Sequence, residues 1–269
     1  MEMIASIKMQ KAVRTIGQSR DYIQNAWNIL HLLAQKALPV DHPLLLPKQT
    51  GKIAVILVTS DRGLCGSYNT EIIKKYLSYL QNLSTVDVVA IGKVGAEYVR
   101  KYRAGNLVAE FKGFENNATI EDIMPIFKLT TGEYLLGNYE KVVVVYPHFV
   151  SSLKRISVVQ QILPISDEHI SDKELWIQDE ADTAAEYKFE PNPEVVVDSL
   201  LKQIIQTQIF GAVLEANASE HSARMVAMKS ATDNAKDLID ELTLIYNSVR
   251  QDGITREIAE ISGAAEAMK

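Results

Sequence analysis

The residues most able to do chemistry sit in one loop. Ser60, Asp61, Arg62, Gly63, Cys65 and Gly66 fall within SDRGLCGS, directly after the apolar, β-branched run Ile53–Thr59. Glycine after a strand invites a nucleotide-binding reading, because a phosphate can rest on a helix N-terminus only where the backbone comes close. The spacing does not support it. Gly63 and Gly66 form neither G-x-G-x-x-G nor a loop ending in GK[ST], and the second loop, Gly92-Lys93-Val94-Gly95, is no better. These glycines read instead as tight strand-to-helix turns. Cys65 reads as a small buried residue. His31, His42, His148, His169 and His221 are scattered without metal-ligand spacing, and read as solvated or locally hydrogen-bonded. Asp237, Asp240 and Glu241 lie beside lysines on a long helical stretch and read as a solvated face. No catalytic residue, cofactor site or metal site is expected.

Composition narrows the classes further. The formal net charge of −6 disfavours nucleic acid as a partner. Cys65 is the only cysteine, so neither an intrachain disulfide nor a thiolate zinc cluster can form. No apolar run approaches the roughly 18–20 residues that span a bilayer. The opening MEMIASIKMQKA resembles neither a secretory signal nor a transit peptide. The chain is therefore expected in the cytoplasm, or facing it from a membrane complex.

Three regions must position the loop. In residues 1–38, Met9, Val13, Ile16, Ile23, Trp27, Leu30, Ala34 and Ala37 follow a heptad seam, with Arg20 filling one position. Pro39, Pro43 and Pro47 end that helix. Residues 39–193 alternate strands with helices. Strands are expected at 53–59, 86–92 and 141–147, with an antiparallel partner at 154–163. Helices are expected near 69–83, up to 102, and near 119–136. Residues 167–185 read as an acidic loop. Residues 194–269 contain no proline and read as one helix roughly 114 Å long. Gly211, Gly253 and Gly263 are possible soft points along it. Leu238, Leu242, Ile245 and Val249 form one apolar stripe on it; Ile254, Ile258, Ile261 and Ala265 form another, shifted by one residue. The expected fold class is α/β: a Rossmann-like, mainly parallel sheet domain inserted between two long terminal helices that form an antiparallel coiled coil. The C-terminal helix must project beyond the pair.

Three segments carry a resemblance. MEMIASIKMQKA (1–12), VTSDRGLCGSYN (58–69) and the run from Ala223 to Ala267 resemble, in that order, conserved blocks of the gamma subunits of F-type ATP synthases. Ser67 stands where the family usually has a second glycine, and the family's helix extends upstream of the methionine matching Met1. The natural chain is accordingly expected to begin before Met1. No cysteine-bearing insertion of the chloroplast type is visible.

The resemblance implies a non-catalytic central rotor. Its coiled coil would stand inside the hexamer of alpha and beta subunits, and its α/β domain would rest against epsilon and the c-ring. Proton or sodium flow would turn it, and ATP would be made on beta. It would lie peripherally on the cytoplasmic face of a bacterial plasma membrane. The resemblance further implies contacts to a beta-subunit loop by Arg250 and Gln251, and torque-coupling contacts to beta or alpha by Met1, Thr255, Glu257 and Glu260. Ile258 and Ile261 would face an apolar bearing. A nucleotide-binding enzyme on a Rossmann-like domain and a free coiled-coil adaptor are the alternatives. The incomplete glycine loops yield the first testable outcome: calorimetry on the purified chain with ATP and with NAD should show no binding in the micromolar range.

Overall fold

The computed structural model describes residues 1–35, 42–81, 83, 86–115, 118–165 and 193–268. Helix α1 (Glu2–Gln35) is followed by β1 (Lys52–Val58), α2 (Tyr68–Leu80), β2 (Val86–Ile91), α3 (Lys93–Tyr102) and β3 (Asn106–Phe111). Helix α4 (Ile120–Leu135), strands β4 (Tyr139–Phe149) and β5 (Arg155–Leu163), and helix α5 (Pro193–Ala267) complete the order. The acidic stretch 167–185, Ala37 and Pro39 lie outside the described residues, as do His169 and the side chains of Arg20, Ile23, Trp27, Leu30, His31 and Ala34.

The five strands form one sheet in the order β3-β2-β1-β4-β5. The first four run parallel, and β5 is antiparallel to β4. Strand β1 shows why its sequence is apolar from Ile53 onward, since a strand covered on both faces needs no polar alternation. Ala54, Ile56 and Val58 join the core built with α4 and α5, beside Ile123, Ile126, Leu201 and Ile205. Val55 and Leu57 join the opposite core, with Ile72, Tyr76 and Val99 from α2 and α3. Strand β3 escapes the sequence reading. It is a short edge strand with no buried residue, its side chains exposed or half-buried, so it carries no long apolar run.

Helices α1 and α5 pack along each other and run antiparallel: Met1, Ser6 and Ile7 lie beside Met225, Met228 and Thr232, while Ile16 shares a core with Leu214 and Ala216. Of the expected seam, Ile16 is buried and Met9 half-buried, while Val13 is 38% exposed and Ala12 packs against the core in its place; Ala5 is buried as well. Small alanines let the two helix axes approach, which leaves the bulkier valine on the outside. Helix α5 runs unbroken for 75 residues, about 110 Å, through Gly211, Gly253 and Gly263. From residue 229 to residue 268 every side chain is exposed except Asn247, which is half-buried.

One close approach depends on glycine. Gly92 opens α3 at φ +97°, and a Cβ there would stand 2.2 Å from the Thr59 carbonyl oxygen. Gly95 would meet the Thr59 side chain at 2.8 Å. The α3 N-terminus is thereby pressed onto the end of β1. Gly92→Ala should lower stability by about 3 kcal/mol through backbone strain and displacement of α3, measurable as a shift of the urea midpoint.

Candidate functional site

Open parallel sheets bind ligands in the crevice beyond the carboxyl ends of their strands, where the strand order reverses. Here the reversal lies between β1 and β4. That crevice is filled by the chain's own helix. Ala218, Ser219, Glu220, His221, Ser222 and Ala223 are consecutive residues of α5, and none is more than 3% exposed. A helix buried on every side for nearly two turns is being held in a collar.

The collar grips two opposite faces of α5. At about 100° per residue, Asn217, Glu220, His221 and Arg224 share one face, and Glu215, Ser219 and Ser222 share the other. On the first face, Asn217 Nδ2 donates to the Phe114 carbonyl (2.7 Å) and His221 Nε2 lies 3.1 Å from the Glu115 carbonyl. Arg224 forks between Glu115, at 3.4 Å, and Glu220. On the second face, Ser219 Oγ donates to the Pro147 carbonyl (3.2 Å) and Ser222 Oγ to that of Ser152. The Glu215 carboxylate accepts from the Phe149 N–H (3.3 Å) and meets the His148 ring. Tyr68 Oη, from the start of α2, donates to the Ala216 carbonyl at 3.2 Å.

The SDRGLCGS loop forms part of this collar and also caps the start of α3. Asp61 accepts the Lys93 N–H (3.0 Å) with one carboxylate oxygen and the Gly113 N–H (2.8 Å) with the other. Thr59 Oγ1 accepts the Gly95 N–H at 2.9 Å, and the Ser60 carbonyl accepts that of Val94 at 3.1 Å. The N–H donors at the start of α3 are thus occupied by side-chain and backbone oxygens of this loop. Ser60 is fully buried. Its N–H donates to Asn69 Oδ1 (3.1 Å), while Asn69 Nδ2 donates to Ser60 Oγ (2.7 Å) and lies 3.3 Å from Cys65 Sγ. Burial pushes the Cys65 thiol up, away from the reactive thiolate. Arg62 is mostly exposed and reaches Glu115 at 3.5 Å. The turn's positive φ values fall on Leu64 (+64°) and Gly66 (+58°). The tight-turn reading holds for Gly66 and Gly92, which have positive φ; Gly95 lies within α3 and is needed for close approach to Thr59, and Gly63 has open space around it.

Comparison with known proteins agrees with this geometry. Residues 1–268 match the family model described as ATP synthase. Over its whole length the chain is 35% identical to the ATP synthase gamma chain of Nitrosomonas eutropha, covering 92% of that relative. It is 34% identical to the gamma chain of Haemophilus influenzae and 35% identical to that of Heliobacterium modesticaldum, again over all of this chain and 92% of each relative. The chain belongs to the ATP synthase gamma-chain family. Solved structures share the fold. The central stalk and c-ring structure of Tetrahymena thermophila mitochondrial ATP synthase contains a chain matching at TM-score 0.61 and 20% identity, over 86% of this chain and 97% of that one. A chain in the rotor of the Euglena gracilis enzyme matches at TM-score 0.56 and 16% identity, over 91% and 98%.

A gamma-family chain is a non-catalytic stalk subunit. Arg250, Gln251, Thr255, Glu257, Ile258, Glu260 and Ile261 all lie on the exposed distal part of α5. Met1 does not join them. It is 77% exposed and sits by Met225 and Met228, about 35 Å along the shaft from Arg250. Sequence reasoning does not single out Glu115, Glu220 and Arg224, and reads His221 as solvated or locally hydrogen-bonded, the second of which the structure shows. Only the Glu-x-x-x-Arg spacing of Glu220 and Arg224 could have flagged a helical ion pair.

Burial sets the charge state of the collar. It pushes the Glu220 carboxyl up to about 7, against the pull of Arg224, and it lowers the His221 ring. A raised carboxyl binds its proton more tightly in the folded state, so its contribution to stability falls as pH rises from the ordinary carboxylate value to about 7. His221 acts in the opposite sense, but equally in a variant that keeps it. The melting temperature of Glu220→Gln minus that of the parent should therefore rise between about pH 5 and about pH 8. A flat difference across scanning calorimetry runs would show Glu220 ionised throughout.

Proposed function

We propose that this chain is the torque-bearing shaft of a bacterial rotary ATP synthase, with its α/β domain as the foot and the free length of α5 as the working end. Family membership makes it the central stalk subunit of a complex that includes a c-ring and the F1 sector. The finer assignments follow from the role. The free end of α5 would enter the hexamer of alpha and beta subunits, and the α/β domain would meet epsilon and the c-ring. The chain would sit on the cytoplasmic face of the plasma membrane, in keeping with its bacterial relatives. Among the described residues no helix is long and apolar enough to cross a membrane, so attachment would run through the complex.

The observation that carries this reading is the free shaft itself. Beyond the collar, α5 extends for about 60 Å without support from the rest of the described chain. It exposes Leu238, Ile239, Leu242, Leu244, Ile245, Tyr246, Val249, Ile254, Ile258 and Ile261. An apolar surface of that extent calls for a surrounding partner. A sleeve of nucleotide-binding subunits would have its conformers biased by whichever shaft face they meet, which is a population shift set by rotor angle.

Arg250 is the sharpest test among the proposed contacts. A solvated arginine contributes under about 1 kcal/mol, whereas a charge-assisted hydrogen bond formed at one rotor angle is worth roughly 1.5–3 kcal/mol. Arg250→Ala should lower ATP turnover in the reconstituted complex while alpha, beta and epsilon still co-purify with the chain. Unchanged turnover and pumping would assign coupling to the shaft's shape. Failure of the parent chain to assemble with those subunits would overturn the rotor reading.

A further inference from the structure

The part of α5 inside the collar is unusually smooth. Residues 216–223 read ANASEHSA, and small side chains interdigitate little with their surroundings. Apolar burial is non-directional. It keeps this helix in its sleeve, and the bulky Ile205, Ile209, Phe210 and Leu214 on the preceding turns hold the lower part of the same helix in the core. Where the side chains become small, directional contacts carry the azimuth on towards the free shaft. The contact on the Asn217 face is the ionic one: Glu115 Oε1 lies 3.4 Å from Arg224 Nη1, and Glu115 Oε2 lies 3.5 Å from Arg62 Nε. The Glu115 and Arg224 side chains are 10% and 11% exposed, and Glu220 closes the fork from the helix itself. Glu115 stands on the β3–α4 connection and Arg62 on the β1–α2 connection, so one carboxylate ties two loops of the domain to the shaft. Buried charges that share hydrogen-bonding partners tolerate one geometry and penalise its neighbours steeply.

We propose that the chain of charges Arg62–Glu115–Arg224–Glu220 sets the rotational position of the shaft in its collar, making Glu115 and Arg224 positioning residues for torque transfer. The claim rests on the rotor reading for its consequence but not for its geometry, and the two can be tested apart. Nitroxide labels at Lys74→Cys on α2 and Asp240→Cys on the free shaft report the setting in the full-length chain alone. Pulsed electron paramagnetic resonance should give a narrow distance distribution in the parent. It should be broadened or shifted in Glu115→Gln and in Arg224→Gln, and partly recovered in Arg224→Lys, which keeps the charge without the fork. Ile123→Val, a core change on α4 that leaves every collar hydrogen bond in place, controls for lost stability and should leave the distribution narrow. In the reconstituted complex, ions pumped per ATP hydrolysed should fall about threefold in Glu115→Gln and Arg224→Gln, and stay at the parent value in Ile123→Val. A distribution unchanged in both collar variants, or equally broadened by Ile123→Val, would overturn the proposal. So would a changed distribution with an unchanged pumping ratio. A parent chain that supports no pumping would refute the rotor reading and leave the distance measurement to decide the joint.

Discussion

A long helix held at one end only is the constraint on which the rest of this structure depends. Helix α5 projects about 60 Å past its last buried turn. Any lateral or twisting load on that length arrives at residues 215–224. The sheet suits such an anchor because it is buried on both faces and cannot flex without disturbing two cores. Helix α1 adds a second rod alongside the lower shaft, and its alanine seam brings the two axes close. Polar contacts on opposite sides of α5 then resist a couple about its axis, which contacts on one side would not.

The anchor reuses a site that other proteins of this topology give to a ligand. The parallel order β3-β2-β1-β4 creates a crevice at the β1/β4 reversal. In a dinucleotide-binding domain the loop after β1 would be glycine-rich and open, and the phosphate would rest on a helix N-terminus. In this chain Asp61 bridges the Lys93 and Gly113 N–H groups, Thr59 accepts from Gly95, and α5 fills the remaining space. The same backbone geometry that could cradle a pyrophosphate instead fixes loops to a shaft. Function lies in what occupies the crevice, and the fold alone does not reveal it.

Much of this was legible in sequence because it depends on periodicity. The β-branched runs at β1, β2 and β4, the proline-free stretch that became α5, and the glycines at 92 and 95 each carry a local signal. Strand β3 did not, because an edge strand needs only alternate apolar residues, and NLVAEF is too short to show them. The seam of α1 was phased on Val13 because hydrophobicity scales favour valine over alanine, while close helix packing favours the smaller residue. The collar was least legible. Its helix segment is built of small and polar residues that resemble a solvated surface, and its decisive partner, Glu115, lies 109 residues from Arg224. Only the folded chain brings those charges together. The loop residues were noticed for their types, yet their work is structural: Ser60 and Asp61 accept and donate within the joint, and Cys65 is packed away.

The free shaft adds a geometric point that ties the two ends of the molecule together. Leu238, Leu242, Ile245 and Val249 lie along one line of the helix, and Ile254, Ile258, Ile261 and Ala265 along another. At 3.6 residues per turn the second line is rotated roughly 160° from the first. The denser apolar line of the rod therefore changes side with height, although Leu244 lies off it, and Gly253 marks the crossover. A uniform cylinder turning inside a ring of subunits would offer each of them the same surface at every angle. A rod patterned in this way offers an apolar face to one neighbour low on the shaft and to the opposite neighbour higher up, which is the asymmetry a rotor requires. That pattern carries information only if its angle relative to the driven domain is fixed. Slippage in the collar would leave every distal contact intact and still erase the phase relation between foot and tip, so the demands on the smooth, buried segment at 216–223 follow directly from the pattern on the exposed one.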